Sequence, residues 1–144
     1  DWSQIESPSP RGENALHGLN LDWKRFVTHQ TIDFFKNEIV PIREITPEKP
    51  ITTNFMGLYK GLDYWEFAKE LDVVSWDNYP AWHNDAEPNY WTACETSFKH
   101  DVNRSLKGKP FMLMESAPSL VNWMPVNKLK RPEMHMLSSM QAVA

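Results

Sequence analysis

The stretch "KPFMLMESAP", residues 109–118, sets a run of four apolar residues directly before a carboxylate. The run, Phe111 to Met114, has the length and composition of a buried strand. A charge at the edge of a hydrophobic core is unfavourable unless it is paired or solvated. Glu115 is therefore either a surface residue in a loop or a residue held at the strand end for chemistry, and the rest of the sequence decides between the two.

Two more short strands precede this one, and all of them alternate with helices. The segment "ITTNF" (51–55) is rich in β-branched residues, and "DVVSWDNYP" (72–80) is stopped by Pro80. Apolar residues at three- and four-residue steps predict helices over residues 22–45, 62–71, 89–106 and 132–144. We expect Pro41 to kink the first helix or to end it early. In the third helix one apolar stripe is formed by Trp91, Cys94, Phe98, Val102 and Leu106.

This alternation predicts an α/β fold built from parallel βαβ units. The third strand is expected over residues 110–115, and residues 1–20, rich in Pro and Gly, are expected to form a loop. Three parallel strands are too few for a closed sheet, because a (β/α)8 barrel takes roughly 250 residues. An open sheet of this kind would expose unpaired backbone groups. We therefore expect residues 21–144 to be a partial (β/α)8 TIM barrel, truncated at both ends.

Composition excludes several classes of partner. The chain has 144 residues and a net charge of −4 without a basic run, which argues against nucleic acid or an anionic membrane surface. No apolar stretch approaches the roughly 18–20 residues of a membrane span. Cys94 is the only cysteine, so no internal disulfide is possible. The five histidines are scattered, and we expect neither a metal nor another cofactor.

Polar and aromatic side chains follow each predicted strand. Asn54 ends the first strand, Trp76, Asp77 and Tyr79 end the second, and Glu115 ends the third. In parallel α/β folds the carboxyl ends of the strands carry the active site. Asn and Asp are common turn residues after strands, but Glu is a poor turn former. Glu115 is therefore the strongest candidate for a chemical role, and flat tryptophan rings near the strand ends suit the stacking of a sugar.

Several motifs together resemble a known family. These are "ITTNFMG" (51–57), "GLDYWEFAKELDVVSWDNYP" (61–80), "FMLMESAP" (111–118), "NWMP" (122–125) and "MLSSMQAVA" (136–144). In this order they closely resemble the catalytic barrel of the glycoside hydrolase family 42 β-galactosidases, and the resemblance extends from near Asp22 to Ala144. It implies that the three strands are strands five, six and seven of that barrel. It also implies a bacterial cytoplasmic parent enzyme that forms a homo-oligomer, a trimer in resembling enzymes.

The resemblance further implies a retaining β-galactosidase with Glu115 as its nucleophile. A retaining glycosidase needs two carboxyl groups about 5–5.5 Å apart, one to attack the anomeric carbon and one to act as acid and base. In the family the second is a Glu after an Asn at the end of strand four, which would lie upstream of Asp1. We therefore expect the isolated chain to be inactive towards β-D-galactosides.

The remaining residues of the expected site would bind the sugar or orient the nucleophile. Tyr79 or Asn54 could donate hydrogen bonds to the Glu115 carboxylate, because both lie at neighbouring strand ends. The "NW" after the nucleophile makes Trp123 the candidate sugar-stacking wall. Asp77 and Trp76 complete the expected substrate-binding set.

Two other functions are compatible with the sequence. The chain could belong to another retaining glycosidase of the same barrel clan, or it could be a non-catalytic carbohydrate-binding or interaction module that uses exposed aromatic residues. The combined motif series favours the β-galactosidase over other members of the clan. A glutamate at the chemical position, Glu115, disfavours the binding module.

Overall fold

A computed structural model describes residues 1, 4, 17–82, 86–117, 121 and 123–143. Most of the predicted N-terminal loop, and Asn122 of the "NWMP" motif, lie outside these residues. Helices and strands alternate as predicted: α1 His17–Ile45, β1 Asn54–Phe55, α2 Tyr64–Ala68, β2 Ser75–Asn78, α3 Asn89–Ser105, β3 Met112–Ser116 and α4 Met134–Val143. None of the helices in the described ranges is long and apolar enough to cross a bilayer. The chain divides into two compact units, Asp1–Ile51 with Tyr59–Glu70 and Thr52–Leu58 with Leu71–Ala144.

The first unit is built on α1, which is longer than we predicted. The helix begins at His17, although the sequence suggested a loop up to residue 20. Leu19 and Leu21 are 44% and 49% exposed, so this first turn carries no buried stripe that a pattern could reveal. Of the two effects expected of Pro41, a kink or an early end, the early end does not occur, since four more helical residues follow Pro41. The end is fixed instead by Thr46, whose backbone N–H and hydroxyl both donate to the Ile42 carbonyl, at 2.8 and 3.0 Å.

The short helix α2 completes the first unit. Asp63 caps its N-terminus, because the Asp63 carboxylate accepts a hydrogen bond from the backbone N–H of Glu66 at 3.1 Å. The backbone N–H of Asp63 donates to the Thr28 hydroxyl of α1, also at 3.1 Å. Phe67 of α2 packs edge-on against Phe35 of α1, with ring centroids 5.3 Å apart. These contacts hold the two helices together around a small core.

The second unit contains a three-stranded sheet in the order β1-β2-β3. Both neighbouring pairs are parallel, which confirms the predicted βαβ pattern and an α/β fold. The central strand β2 is buried over Ser75, Trp76 and Asn78, whereas the residues of β3 are mostly exposed. The strand predicted over residues 51–55 forms a ladder only at Asn54–Phe55. Before it, side chains replace the ladder: the Thr52 hydroxyl donates to the Val73 carbonyl at 2.6 Å.

The helix α3 presents a different face to its unit from the one that its apolar stripe suggested. Of the predicted stripe, Trp91 and Phe98 are 57% and 60% exposed, and Leu106, directly after the helix, is its one buried residue. The buried residues of α3 are instead polar and mostly small, namely Thr92, Thr96, His100 and Asn103. Small residues permit a helix to approach a neighbouring sheet closely, and the buried side-chain amide of Asn103 is partly satisfied by donating to the Lys99 carbonyl at 2.9 Å.

Candidate active site

The predicted site residues meet at the carboxyl end of the parallel sheet. β2 and β3 pair so that Asp77 lies opposite Glu115 and Asn78 lies opposite Ser116. On the other side of β2 lies β1, in which Asn54 pairs with Ser75 of β2. In a strand, alternate side chains point to opposite faces, so Ser75 and Asp77 share one face of β2, and Tyr79 follows directly after the strand ends at Asn78.

A register shift in β3 decides which face Glu115 occupies. Trp76 pairs with Leu113 and Asp77 pairs with Glu115, so Met114 is an extra residue on β3. Without this bulge Glu115 would lie beside Asn78, on the face of β2 that carries the buried Trp76. A shift of one residue exchanges the two faces of a strand, and bulges of this kind redirect side chains next to active sites. Here the bulge brings Glu115 to the face of Asp77.

Tyr79 is the residue that contacts the Glu115 carboxylate. Its hydroxyl donates a hydrogen bond to Oε2 of Glu115. This bond, with smaller contributions from burial and from the charges of Glu115 and Asp77, raises the pKa of Tyr79 to about 12. The phenol therefore remains protonated, and so a hydrogen-bond donor, at any pH well below 12. The sequence left two donors open, Tyr79 and Asn54, and the structure has Tyr79 in this position.

Trp123 contacts the ring of Tyr79. The two rings are perpendicular, at 89°, with centroids 4.8 Å apart. The indole is 60% exposed, so one of its surfaces remains open to solvent. Tyr79 thus contacts the candidate nucleophile through its hydroxyl and the candidate sugar-stacking ring through its own ring. The structure brings together three of the six predicted site residues in this way.

Asn54 and Asp77 form a second pair beside this group. The Asn54 side-chain amide donates to Oδ2 of Asp77 at 2.5 Å. The other carboxylate oxygen, Oδ1, is buried and has no hydrogen-bond partner among the described residues. Asp77 is therefore oriented by β1 on one side while its backbone pairs with Glu115 on the other.

Trp76 lies apart from the other predicted site residues. Its side chain is 1% exposed and meets the His100 ring edge-on, with centroids 5.1 Å apart. Phe111 stacks on His100, with centroids 5.0 Å apart and 13° between the planes, and it also meets Trp76 edge-on at 6.5 Å. Trp76 therefore has no open ring face for a sugar and belongs to the core of its unit. Burial lowers the pKa of His100, and the weaker influence of Asp101 acts in the opposite direction.

Two features of the site were not predicted. The bulge at Met114 leaves no signal in the sequence, because the apolar run 111–114 reads as an ordinary strand. The contact between Tyr79 and Trp123 joins residues 44 positions apart, which only the fold can bring together. Among the residues that the structure describes, no group of three or more His, Cys, Asp and Glu side chains could hold a metal ion.

Comparison with known proteins places the chain in a family. The family model for glycoside hydrolase family 42, described as β-galactosidase, matches residues 1–144. The chain is 65% identical to β-galactosidase GalA of Bacillus licheniformis and 61% identical to β-galactosidase GanA of Bacillus subtilis, each over 150 aligned positions. Both alignments include the whole chain but only 22% of the relative. The chain thus spans about a fifth of the length of these curated relatives.

Solved structures agree with this assignment. Gan42B, a GH42 β-galactosidase from G. stearothermophilus, is 65% identical and superposes with a TM-score of 0.91 over 100% of this chain and 22% of that one. The cold-adapted β-galactosidase from Rahnella sp. R3 is 54% identical, with a TM-score of 0.89 over 99% of this chain and 21% of that one. The fold and the match of the family model over the full length agree, and the chain belongs to the glycoside hydrolase family 42 β-galactosidases.

Proposed function

We propose that this chain carries the nucleophile of a retaining β-galactosidase and that Glu115 is this nucleophile. The observation that supports this most directly is the hydrogen bond from Tyr79 to Glu115, next to the exposed ring of Trp123. A carboxylate oriented by a hydrogen bond and an exposed aromatic ring thus lie near each other at the carboxyl end of a parallel sheet. One solved relative, a glutamate-to-alanine form of Gan42B, is described as a catalytic mutant, so a glutamate serves catalysis in that enzyme.

The proposed reaction has two displacement steps. In the first, a carboxylate oxygen of Glu115 attacks the anomeric carbon of a β-galactoside, the glycosidic bond breaks, and the leaving oxygen takes a proton from a second carboxyl group. In the second, that group, now a base, takes a proton from water, and the water displaces Glu115 from the anomeric carbon. Two inversions give overall retention. Tyr79 orients the attacking carboxylate, and Trp123 covers one side of the galactose ring.

The second carboxyl group is proposed to come from outside this chain. Asp77 is the carboxylate nearest to Glu115 in the strand register, but it lies on the same sheet edge and is bonded to Asn54. An acid must lie across the substrate from the nucleophile, at about 5–5.5 Å. We propose that the three strands are strands five to seven of the barrel and that strand four supplies the acid. The isolated chain should then hydrolyse aryl β-galactosides no faster than buffer does.

The test needs a full-length enzyme that contains this chain. Replacing the matching 150 positions of the Bacillus licheniformis relative by this chain gives such an enzyme, here called the swapped galactosidase. We expect it to hydrolyse aryl β-galactosides. Glu115→Ala should lower its kcat by at least about a thousandfold, since no other group can form the glycosyl-enzyme. Glu38→Ala is the matched control, because this carboxylate is exposed on α1.

Azide distinguishes the nucleophile from the acid. In the Glu115→Ala variant, azide should occupy the vacated side of the sugar and give the α-galactosyl azide from an activated β-galactoside. A β-galactosyl azide would instead assign Glu115 as the acid and base. An unchanged kcat in Glu115→Ala, or a folded but inactive swapped galactosidase, would contradict the proposed function.

A further inference from the structure

The segment between β3 and α4 carries Trp123, and the side chain of Asn127 holds part of this segment by hydrogen bonds to its backbone. Oδ1 of Asn127 accepts a hydrogen bond from the backbone N–H of Val121 at 3.1 Å. Nδ2 of Asn127 donates to the Val121 carbonyl at 2.9 Å and to the Met124 carbonyl at 3.4 Å. One exposed side chain thus binds three backbone groups of the same turn.

These three backbone groups lie on both sides of Trp123. Val121 precedes it by two residues and Met124 follows it directly. With both flanks bound to one amide, the backbone at Trp123 has little freedom to move away from Tyr79. The perpendicular contact between the two rings, at 4.8 Å, depends on that position.

A second bond closes the base of the same segment. Nζ of Lys130 donates to the Ala117 carbonyl at 2.6 Å, which joins the residue after β3 to the approach to α4. The ammonium is half-buried there, and burial lowers the pKa of Lys130. Lys130 therefore fixes the ends of the segment, and Asn127 fixes the turn within it that bears the indole.

We propose that Asn127 is a positioning residue for galactoside binding, which acts by holding the turn that presents Trp123 to the sugar. The inference rests on the proposed function, because it takes Trp123 as part of the sugar subsite. The chemistry is particular to asparagine. Its short side chain provides one acceptor and two donor hydrogens in one plane, whereas aspartate keeps the acceptor and lacks both donors.

The test compares five variants of the swapped galactosidase: Asn127→Ala, Asn127→Asp, Trp123→Ala, the double variant Asn127→Ala/Trp123→Ala, and Val126→Ala as a control. Val126 neighbours Asn127 in the same turn, is 74% exposed and shares none of these bonds. The measurements are the inhibition constant of galactose, together with kcat and KM for an aryl β-galactoside. A residue that merely supported the fold would change the unfolding midpoint and the amount of active enzyme without changing the inhibition constant.

Asn127→Ala should weaken galactose binding about fivefold, with kcat within about twofold, because the turn loses its fastening while Glu115 is untouched. Asn127→Asp should weaken it at least as much, since a carboxylate oxygen then faces the carbonyls of Val121 and Met124. Trp123→Ala should weaken it about tenfold by removing stacking area. The double variant should be no weaker than Trp123→Ala, because Asn127 acts only through the indole.

Three outcomes would overturn the inference. Asn127→Ala could bind galactose as tightly as Val126→Ala does, or the double variant could show the product of the two single effects, about fiftyfold. If Asn127→Ala does not fold, Asn127→Asp has nearly the same volume and repeats the test, and normal galactose binding in it would be equally decisive. A fourth outcome, unchanged galactose binding in Trp123→Ala, would overturn the inference as well, because Trp123 would then lie outside the sugar subsite, while the assignment of Glu115 as the nucleophile would stand on its own test.

Discussion

Replacing Tyr79 by phenylalanine removes one oxygen atom, and that atom is the donor to the Glu115 carboxylate. The ring remains, and with it the perpendicular contact with Trp123 at 4.8 Å. The change therefore separates the orientation of the nucleophile from the packing of the proposed sugar subsite. We expect it to lower kcat of the swapped galactosidase and to leave KM nearly unchanged.

The size of the effect follows from the kind of bond. A hydrogen bond to an ionised acceptor contributes about a ten- to hundredfold factor when it is lost without replacement. Glu115 is exposed on β3, so water can replace part of the lost donor. We therefore expect a loss of about tenfold in kcat, with KM within about twofold. Because the pKa of Tyr79 is raised to about 12, the phenol stays protonated and the loss should be constant between roughly pH 5 and pH 9.

The assay is steady-state hydrolysis of an aryl β-galactoside across that pH range. Tyr90→Phe is the matched control, since Tyr90 is 67% exposed at the start of α3 and its ring contacts Trp91. A Tyr79→Phe variant whose kcat lies within twofold of Tyr90→Phe would refute the reasoning. A loss confined to KM would also refute it, because the hydroxyl would then bind substrate rather than orient Glu115.

Two further predictions concern the core of the second unit. Trp76→Ala should destabilise the fold by about 3–5 kcal/mol, because the change leaves a large cavity at a buried side chain. Trp23→Ala is the control and should destabilise the fold far less, since the Trp23 side chain is 40% exposed. Equal decreases in the unfolding midpoint of the two variants would contradict this prediction. Burial lowers the pKa of His100 in the folded state, so the unfolded state takes up the proton first as the pH falls below about 6.5. Stability should therefore decrease with falling pH in this range, and His100→Phe should reduce that decrease in urea unfolding measured at several pH values; an unchanged pH dependence would show that another group is responsible.

The sequence was sufficient for the architecture of the sheet and for the edge at which the candidate site residues meet. Short apolar runs that alternate with amphipathic segments leave few arrangements other than parallel βαβ units, and the sheet confirms them. Glu115 could be proposed for a chemical role because nothing structural requires a glutamate at the end of an apolar strand, and that role stays a prediction. The donor Tyr79 was among two candidates, since residues at adjacent strand ends must lie near each other.

The sequence could not predict the faces that pack. In α3 both the apolar stripe and the polar stripe have helical spacing, and the small Thr92 and Thr96 face inward because they permit close approach. In β3 strict alternation would put Leu113 and Glu115 on the same face of the sheet. In the structure Leu113 pairs with Trp76 and Glu115 pairs with Asp77, so the extra residue Met114 puts Leu113 and Glu115 on opposite faces. A bulge depends on how two strands pair over their whole length, so one strand's pattern does not reveal it.

The measurement that tests the central claim most directly is the covalent trapping of the nucleophile. A 2-deoxy-2-fluoro-β-galactoside with a good leaving group should inactivate the swapped galactosidase. The fluorine slows both the formation and the hydrolysis of the glycosyl-enzyme, whereas the good leaving group speeds only its formation. The glycosyl-enzyme therefore accumulates. Peptic digestion and mass spectrometry should then find the fluorogalactosyl group on Glu115, within the peptide that spans residues 111–117. A label on Asp77 or on any other residue, in an enzyme that is active before treatment, would contradict the assignment of Glu115 as the nucleophile.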